Sequence, residues 1–481
     1  MLRKLCIAKA PRAVQVYPNT GLMRFLNLTR QLEIGANSYF LEIGGKKVVL
    51  DCGMHPRYEG FDALPDLTAL PDESVDAILL SHAHQDHIGS IPVLMRRHPG
   101  AQLFATDATL QIGEVMLHNS VNVMLRIREE RGIASYPLFT HREIDLAARR
   151  WHPVPLHQRW SFEGERLGAL EEAPLSFEFY DAGHIIGSAG VMIRGEGRTI
   201  FYTGDVNFDD QTISSGARFP EEPLDVLIVE TTRGDHQIAE GFTREAEELR
   251  LGHAIREVFE EGGAVLIPVF ALGKTQELLA MLAGMQQRGV LPFGCPVYIG
   301  GLSAKLTEIY DKLAGQWPRL KPNLRLLDTV APFVVNGRGI SELPIKSGHV
   351  YALTSGMMTE NTLSNLFGGR FLDQAGQAIL FIGYADPNSP GGRLRSAARG
   401  DSIQLDGETP PKQVECGVEV FDFSAHASRE SIRAWVNKVT PKKIVLVHGD
   451  QAAVEWFRST LSADLPGSEI ILPAPGELIE L

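Results

Sequence analysis

One stretch of six residues, His82-Ala83-His84-Gln85-Asp86-His87, constrains this chain more than any other. The residues before it, Val75-Asp76-Ala77-Ile78-Leu79-Leu80, read as a buried strand. Side chains two apart on an extended segment point to the same side, so His82 and His84 can face one point. Asp86 and His87 follow at the expected start of a helix running from about Asp86 to Arg97. Imidazole and carboxylate ligands together suit zinc, with iron or manganese compatible.

Five more candidates share one property: each ends an apolar strand. His184 follows Phe177–Asp181, and Asp205 follows Thr199–Thr203 with Gly204 between. Glu230 follows Val226–Val229, His426 follows Val420–Ala425, and His448 follows Ile444–Val447. Polar groups at strand C-termini collect along one sheet edge, where α/β sites usually lie. Two metals need about seven or eight ligands with a bridging anion. His82, His84, Asp86, His87, His184, Asp205 and His448 supply seven. His426 and Glu230 are then free for proton work. Asp51, at another strand end, is expected to accept a hydrogen bond that orients a ligand histidine. The other histidines, His118 and His141 among them, lack this context and are expected in surface or core roles.

The N-terminal third reads as short strands and turns, with a hairpin at Gly44-Gly45 and mostly helical residues over 107–150. From about residue 235 the pattern becomes strand–helix alternation, which implies a parallel three-layer α/β domain. Thr243 is expected as the N-cap of a helix ended by Gly262-Gly263. Residues 385–415, rich in Pro, Gly and Ser, read as a loop or return linker. Strand and helix signals then resume at Val418–Phe423 and Ser428–Lys438.

Apolar residues make up 44% of the 481 and charged residues 22%, a globular balance with room for two to four domains. No apolar run approaches the ~20 residues that span a bilayer. Basic residues interrupt Met1–Ala10, which argues against a secretory leader. The four cysteines, Cys6, Cys52, Cys295 and Cys416, are scattered, so neither a disulfide framework nor a zinc ribbon is indicated. A cytoplasmic protein with no membrane partner is the expectation. A net charge of −13 argues against a broad basic face, although bound cations and a local basic groove reverse that sign locally.

The motif His82–His87, with His184, Thr203-Gly204-Asp205 and a late histidine, resembles the metallo-β-lactamase superfamily. About half the chain separates Asp205 from His448, and the α/β block in that interval resembles the β-CASP insertion of the nucleic-acid branch. Three further motifs match as Val229-Glu230-Thr231-Thr232, Ser424-Ala425-His426-Ala427 and Val447-His448-Gly449-Asp450. The resemblance implies an αββα sandwich over residues 1–235 and 416–481, with a β-CASP domain inserted over 236–415. It implies two zinc ions: one held by His82, His84 and His184, the other by Asp86, His87 and His448, with Asp205 bridging. Asp86 counts among the catalytic residues too, with His426 as general acid oriented by Glu230. It further implies a ribonuclease acting on single-stranded RNA and leaving 5′-phosphate and 3′-hydroxyl ends. A histidine at the position of His448 goes with RNA in this family, whereas DNA-processing members tend to carry valine. A homodimer is compatible with the resemblance. The competing readings are a DNA nuclease, another hydrolase on the same metal core, and a non-catalytic partner subunit.

Two segments depart from the family pattern. Glu230-Thr231-Thr232-Arg233-Gly234 stands where relatives often show Glu-Ser-Thr-Tyr-Gly, and Gly383-Tyr384-Ala385 where they often show Gly-Tyr-Gln. Gly273-Lys274-Thr275 looks like the end of a phosphate-binding loop, but the first glycine of that motif would fall on Pro268, which lacks an N–H. Lys274 is instead expected to contact a phosphodiester from a helix N-terminus.

Overall fold

The computed structural model describes residues 23–168 and 171–481, so Cys6 and the leader reading of Met1–Ala10 lie outside the described residues. Two seven-stranded sheets form a sandwich. The first carries Arg24–Asn27, Tyr39–Ile43, Lys46–Leu50 and Ala77–Leu79, and the second carries Leu175–Asp181, Ala189–Gly195, Arg198–Tyr202, Val226–Glu230 and Lys443–Val447. Their inner faces share one core: Phe25, Leu41, Leu79 and Phe104 meet Phe177, Val191, Ile228 and Val445. Helices Ile91–Arg97, Asp107–Arg131 and His141–Ala148 cover the outer face of the first sheet. Helices Arg429–Val439 and Gln451–Asp464 cover that of the second. This is the αββα arrangement, and the hairpin at Gly44-Gly45 is present with Phe40 opposite Val49.

A third, six-stranded sheet is parallel throughout and lies in the interval between Glu230 and Lys443. Apolar clusters on both its faces make it a three-layer unit. Its strands are nearly all-apolar runs such as Val265–Pro268, as burial on both faces requires. Its last strand, Gly417–Val420, pairs with Ala378–Phe381 and therefore lies past residue 415, where the sequence reading ends the insertion. Thr243 caps helix Arg244–Glu260 through a bond from the Ala246 N–H.

Two local expectations fail. The single helix over Asp86–Arg97 is two, Gln85–Ile88 and Ile91–Arg97. Ser90 gives its N–H to the Cys52 carbonyl and its hydroxyl to the Gly53 carbonyl, and Pro92 has no N–H to continue the ladder. Residues 385–415 contain a capped helix, Pro390–Arg395, and a two-stranded ribbon. Gly391 and Gly392 are small there because a Cβ would meet the Met357 and Asp386 carbonyls at 2.7 and 1.9 Å. Among the described residues no helix is long and apolar enough to cross a membrane. Cys52, Cys295 and Cys416 are free and buried.

Candidate metal centre

The strand ends named above come from the first sheet before His82, the second before His184, Asp205, Glu230 and His448, and the third before His426, and they converge on one site. Two clusters form there: His82, His84, His184 and Asp205 in the first, and Asp86, His87 and His448 in the second. His84 Nδ1 lies 3.1 Å from His82 Nε2 and 3.0 Å from His184 Nε2. Asp205 joins the clusters by its two oxygens. Oδ2 lies 3.5 Å from His82 and 3.6 Å from His184. Oδ1 lies 3.2 Å from His87 Nε2 and 3.1 Å from His448 Nδ1. Asp86 Oδ2 lies 3.5 Å from His448 Nε2.

The surroundings aim these rings. His87 Nδ1 lies 2.7 Å from Asp51 Oδ2, which leaves Nε2 facing the cluster. Ser81 Oγ links His82 Nδ1 to the same carboxylate, at 3.0 and 2.6 Å. Tyr202 donates its hydroxyl to Asp51 as well, at 2.6 Å. Asp51 thus orients two histidines, as expected of it; Ser81 and Tyr202 carried no sequence signal of their role. His184 Nδ1 bonds the Ala425 carbonyl at 2.8 Å, and the Thr232 hydroxyl lies 3.0 Å from His448 Nδ1. Asp51 and His448 both have left-handed backbone, φ 55° and 51°. Residues with a Cβ rarely adopt this conformation, and it persists where the surrounding structure over-determines it.

Burial pushes the pKa of His82 and His184 well below the usual value and that of His84 to about 4, so their nitrogens present lone pairs. Burial acts against His87 too, but the charges of Asp205, Asp86 and Asp51 outweigh it and raise its pKa. Burial opposes ionisation of Asp205, yet His448, His87 and His82 hold its pKa well below the ordinary carboxylate value. Asp205 Oδ1 is buried with no hydrogen-bond partner among the described residues. A buried, ionised oxygen that faces imidazole nitrogens without a hydrogen bond is costly unless a cation completes it. The donor set fits zinc.

His426 stands at the lip. Its Nδ1 lies 3.1 Å from Glu230 Oε1, and its Nε2 lies 4.0 Å from Asp205 Oδ2. Burial would lower its pKa, but Glu230 and Asp205 raise it. Glu230 also accepts the Val206 N–H at 2.7 Å, which fixes the carboxylate. The His426 and Asp86 side chains are each 23% exposed, against 0–2% for His82, His87, His184 and Asp205. The open side therefore lies between His426 and Asp86.

Lys274 differs from expectation. Its ammonium donates to the Phe423 carbonyl, and burial with nearby Arg244 lowers its pKa to about 7. It braces the segment that carries His426. Of the departing segments, Arg233 pairs with Asp422 at 2.6 Å, and beside Ala385 the Asp386 carboxylate pairs with Arg57 at 3.3 Å. Tyr384 is 55% exposed.

The family described as the metallo-beta-lactamase superfamily matches residues 33–103, and the Beta-Casp domain matches 275–394. The "Zn-dependent metallo-hydrolase RNA specificity domain" matches 412–473. The chain belongs to the β-CASP branch of the metallo-β-lactamase superfamily. It is 29% identical over 454 residues to cleavage and polyadenylation specificity factor 73 of Drosophila melanogaster, covering 92% of this chain and 62% of that protein. It is 29% identical over 474 residues to a ribonuclease of Thermus thermophilus, covering 95% of this chain and 99% of that one. A probable RNase of Methanocaldococcus jannaschii is 26% identical over 456 residues, covering 94% and 98%. The chain thus spans about three fifths of the animal relative and nearly all of the two prokaryotic ones. A crystal structure of a protein of unknown function from Enterococcus faecalis V583 shares the fold, with a TM-score of 0.57 and 14% identity, covering 96% of this chain and 100% of that one.

Proposed function

We propose that this β-CASP protein hydrolyses phosphodiester bonds of single-stranded RNA, leaving 5′-phosphate and 3′-hydroxyl ends. The observation that carries the reading is His426, held by Glu230 at the open lip of a metal cluster, its pKa raised by the Glu230 and Asp205 charges against the effect of burial. His82, His84 and His184 would hold one zinc ion and Asp86, His87 and His448 a second, with Asp205 shared. Bound zinc supplies Lewis-acid stabilisation of phosphate charge and lowers the pKa of water toward ~7.

The rest of the chemistry belongs to side chains. Glu230 holds the Nδ1 proton of His426, so Nε2–H points toward the reacting phosphate. His426 gives that proton to the departing 3′ oxygen. Ala425 fixes His184 through its carbonyl, so one segment sets both a ligand and the acid. Lys274 holds the same segment from the insertion side. RNA would enter between the insertion and the sandwich, past Tyr384, whose exposed ring offers a stacking face for a base. The insertion spans residues 236–420 on this reading, since its sheet takes in Gly417–Val420.

The deciding experiment incubates the purified protein with 5′- and 3′-labelled single-stranded RNA and the matched DNA, with and without chelator. Expected are 5′-phosphorylated RNA fragments that vanish with chelator and return with zinc. Cleavage of DNA alone, or no cleavage of either polymer by zinc-loaded protein, overturns the reading.

A further inference from the structure

Away from this centre, four side chains meet on the outer surface where helix Asp107–Arg131 packs against helix His141–Ala148. Glu114 and His118 are four apart on the first helix, and His141 and Asp145 four apart on the second. Residues at that spacing share a helix face, so each helix presents one imidazole and one carboxylate to the other. His118 Nε2 lies 3.4 Å from Asp145 Oδ1. Donor atoms of Glu114, His118 and Asp145 all lie within 4.8 Å of one another. The other ring nitrogen of His118, Nδ1, faces Nδ1 of His141 at 2.8 Å.

We propose that Glu114, His118 and Asp145 bind a divalent transition-metal ion, zinc by their chemistry, and that His141 orients His118 for it. Zinc takes imidazole nitrogen and carboxylate oxygen at about 2.0–2.2 Å, so ligand atoms around one ion lie within about 4.4 Å of each other. Small side-chain rotations bring these three groups into that range. The imidazole pair supplies the second argument. Two ring nitrogens at 2.8 Å need one N–H and one lone pair between them. When His118 Nδ1 carries the proton and His141 Nδ1 accepts it, His118 Nε2 is left with a lone pair beside the two carboxylates. That is how metal-bound histidines are held: one nitrogen on the ion, the other N–H on a fixed acceptor. Glu114 has no hydrogen bond or ion pair among the described residues, so it is available as a ligand.

The ion would tie the two helices together across residues 132–140. The longer helix places Ala108 and Ile112 in the core that also holds Leu278 and Leu282 of the insertion. The clamp therefore stiffens the wall on which the insertion rests. The site is independent of the cleavage reaction, and its test does not use activity.

Full-length protein is dialysed to equilibrium against zinc and its bound metal counted by elemental analysis. Wild type is expected to hold one equivalent more than His118→Gln and than the double variant Glu114→Gln with Asp145→Asn. Circular dichroism checks that each variant is folded. As a measurement independent of variants, the unfolding midpoint of wild type is followed in rising zinc after the central sites are filled, and is expected to keep climbing. Equal zinc counts in folded variants and wild type overturn the proposal. A wild-type midpoint that stays flat once the centre is filled also overturns it.

Discussion

At the scale of single residues, His426 is where the proposed reading parts metal binding from proton transfer. It lies outside the two histidine clusters and forms a third group with Asp205 and Glu230, its Nδ1 3.1 Å from Glu230. His426→Ala should lower kcat by about 10²–10⁴-fold, the usual worth of a positioned acid, while elemental analysis shows unchanged zinc. Loss of zinc in that variant would make His426 a ligand. The pH profile gives a second check. A general acid must be protonated, so activity falls as pH rises through its pKa. Among the charges that raise this pKa, Glu230 contributes most. Glu230→Gln should therefore move the alkaline fall of kcat to lower pH, and an unmoved limb would remove Glu230 from this role. Asp51 and Asp205 look alike in sequence, each ending a strand. Only contacts separate them: Asp51 is satisfied by Ser81, Tyr202 and His87, whereas Asp205 Oδ1 has no hydrogen-bond partner.

At the scale of elements, the ligand loop is shaped by a neighbouring strand end. Residues 52–54 run beside residues 85–87, with Cys52 N–H on the His87 carbonyl and Met54 N–H on the Gln85 carbonyl. A Cβ on Gly53 would sit 1.6 Å from the Asp86 carbonyl oxygen. Gly53→Ala must therefore displace Asp86 and His87 together. The expected result is zinc lost from the cluster and a lowered thermal midpoint, read by elemental analysis and calorimetry. Retention of both would show that the crossing can open without cost. This contact also explains why the helix expected over Asp86–Arg97 breaks. Ser90 bonds to Cys52 and Gly53, and hydrophobic periodicity carries no trace of that competition. The elements that matched best, Lys443–Val447 and Arg244–Glu260, are those whose ends are set locally by an apolar run or a capping threonine.

At the scale of the whole molecule, Glu277 joins the insertion to the sandwich. Its carboxylate accepts the N–H groups of Thr212, Ile213 and Ser214 at 2.6–3.2 Å. The adjoining Gln211 donates its side-chain amide to the Gly183 and His184 carbonyls at 2.9 Å. Helix Lys274–Gln287 is thereby coupled to the loop that carries His184. Glu277→Ala leaves three buried donors unpaired, so stability should fall by roughly 3 kcal/mol or more. Urea unfolding measures that loss, and zinc affinity should fall with it. Weakened stability with unaltered zinc affinity would show the two units to be uncoupled.

The sequence by itself determined which residue types could hold metal and where strands would deliver them. Spacing of two along an extended segment, and polar groups at strand ends, are local facts that survive any arrangement of the chain. Tertiary structure decided how those groups divide the work. Half the chain lies between Asp205 and His448, and their 3.1 Å approach exists because Val226–Glu230 pairs in parallel with Arg198–Tyr202 on one side and with Lys443–Val447 on the other. The same pairing sets Thr232 against His448, and the segment after Val420 brings Ala425 against His184. Lys274 became a brace, because burial beside the Phe423 carbonyl is a property of packing and cannot be read from a Gly-Lys-Thr string.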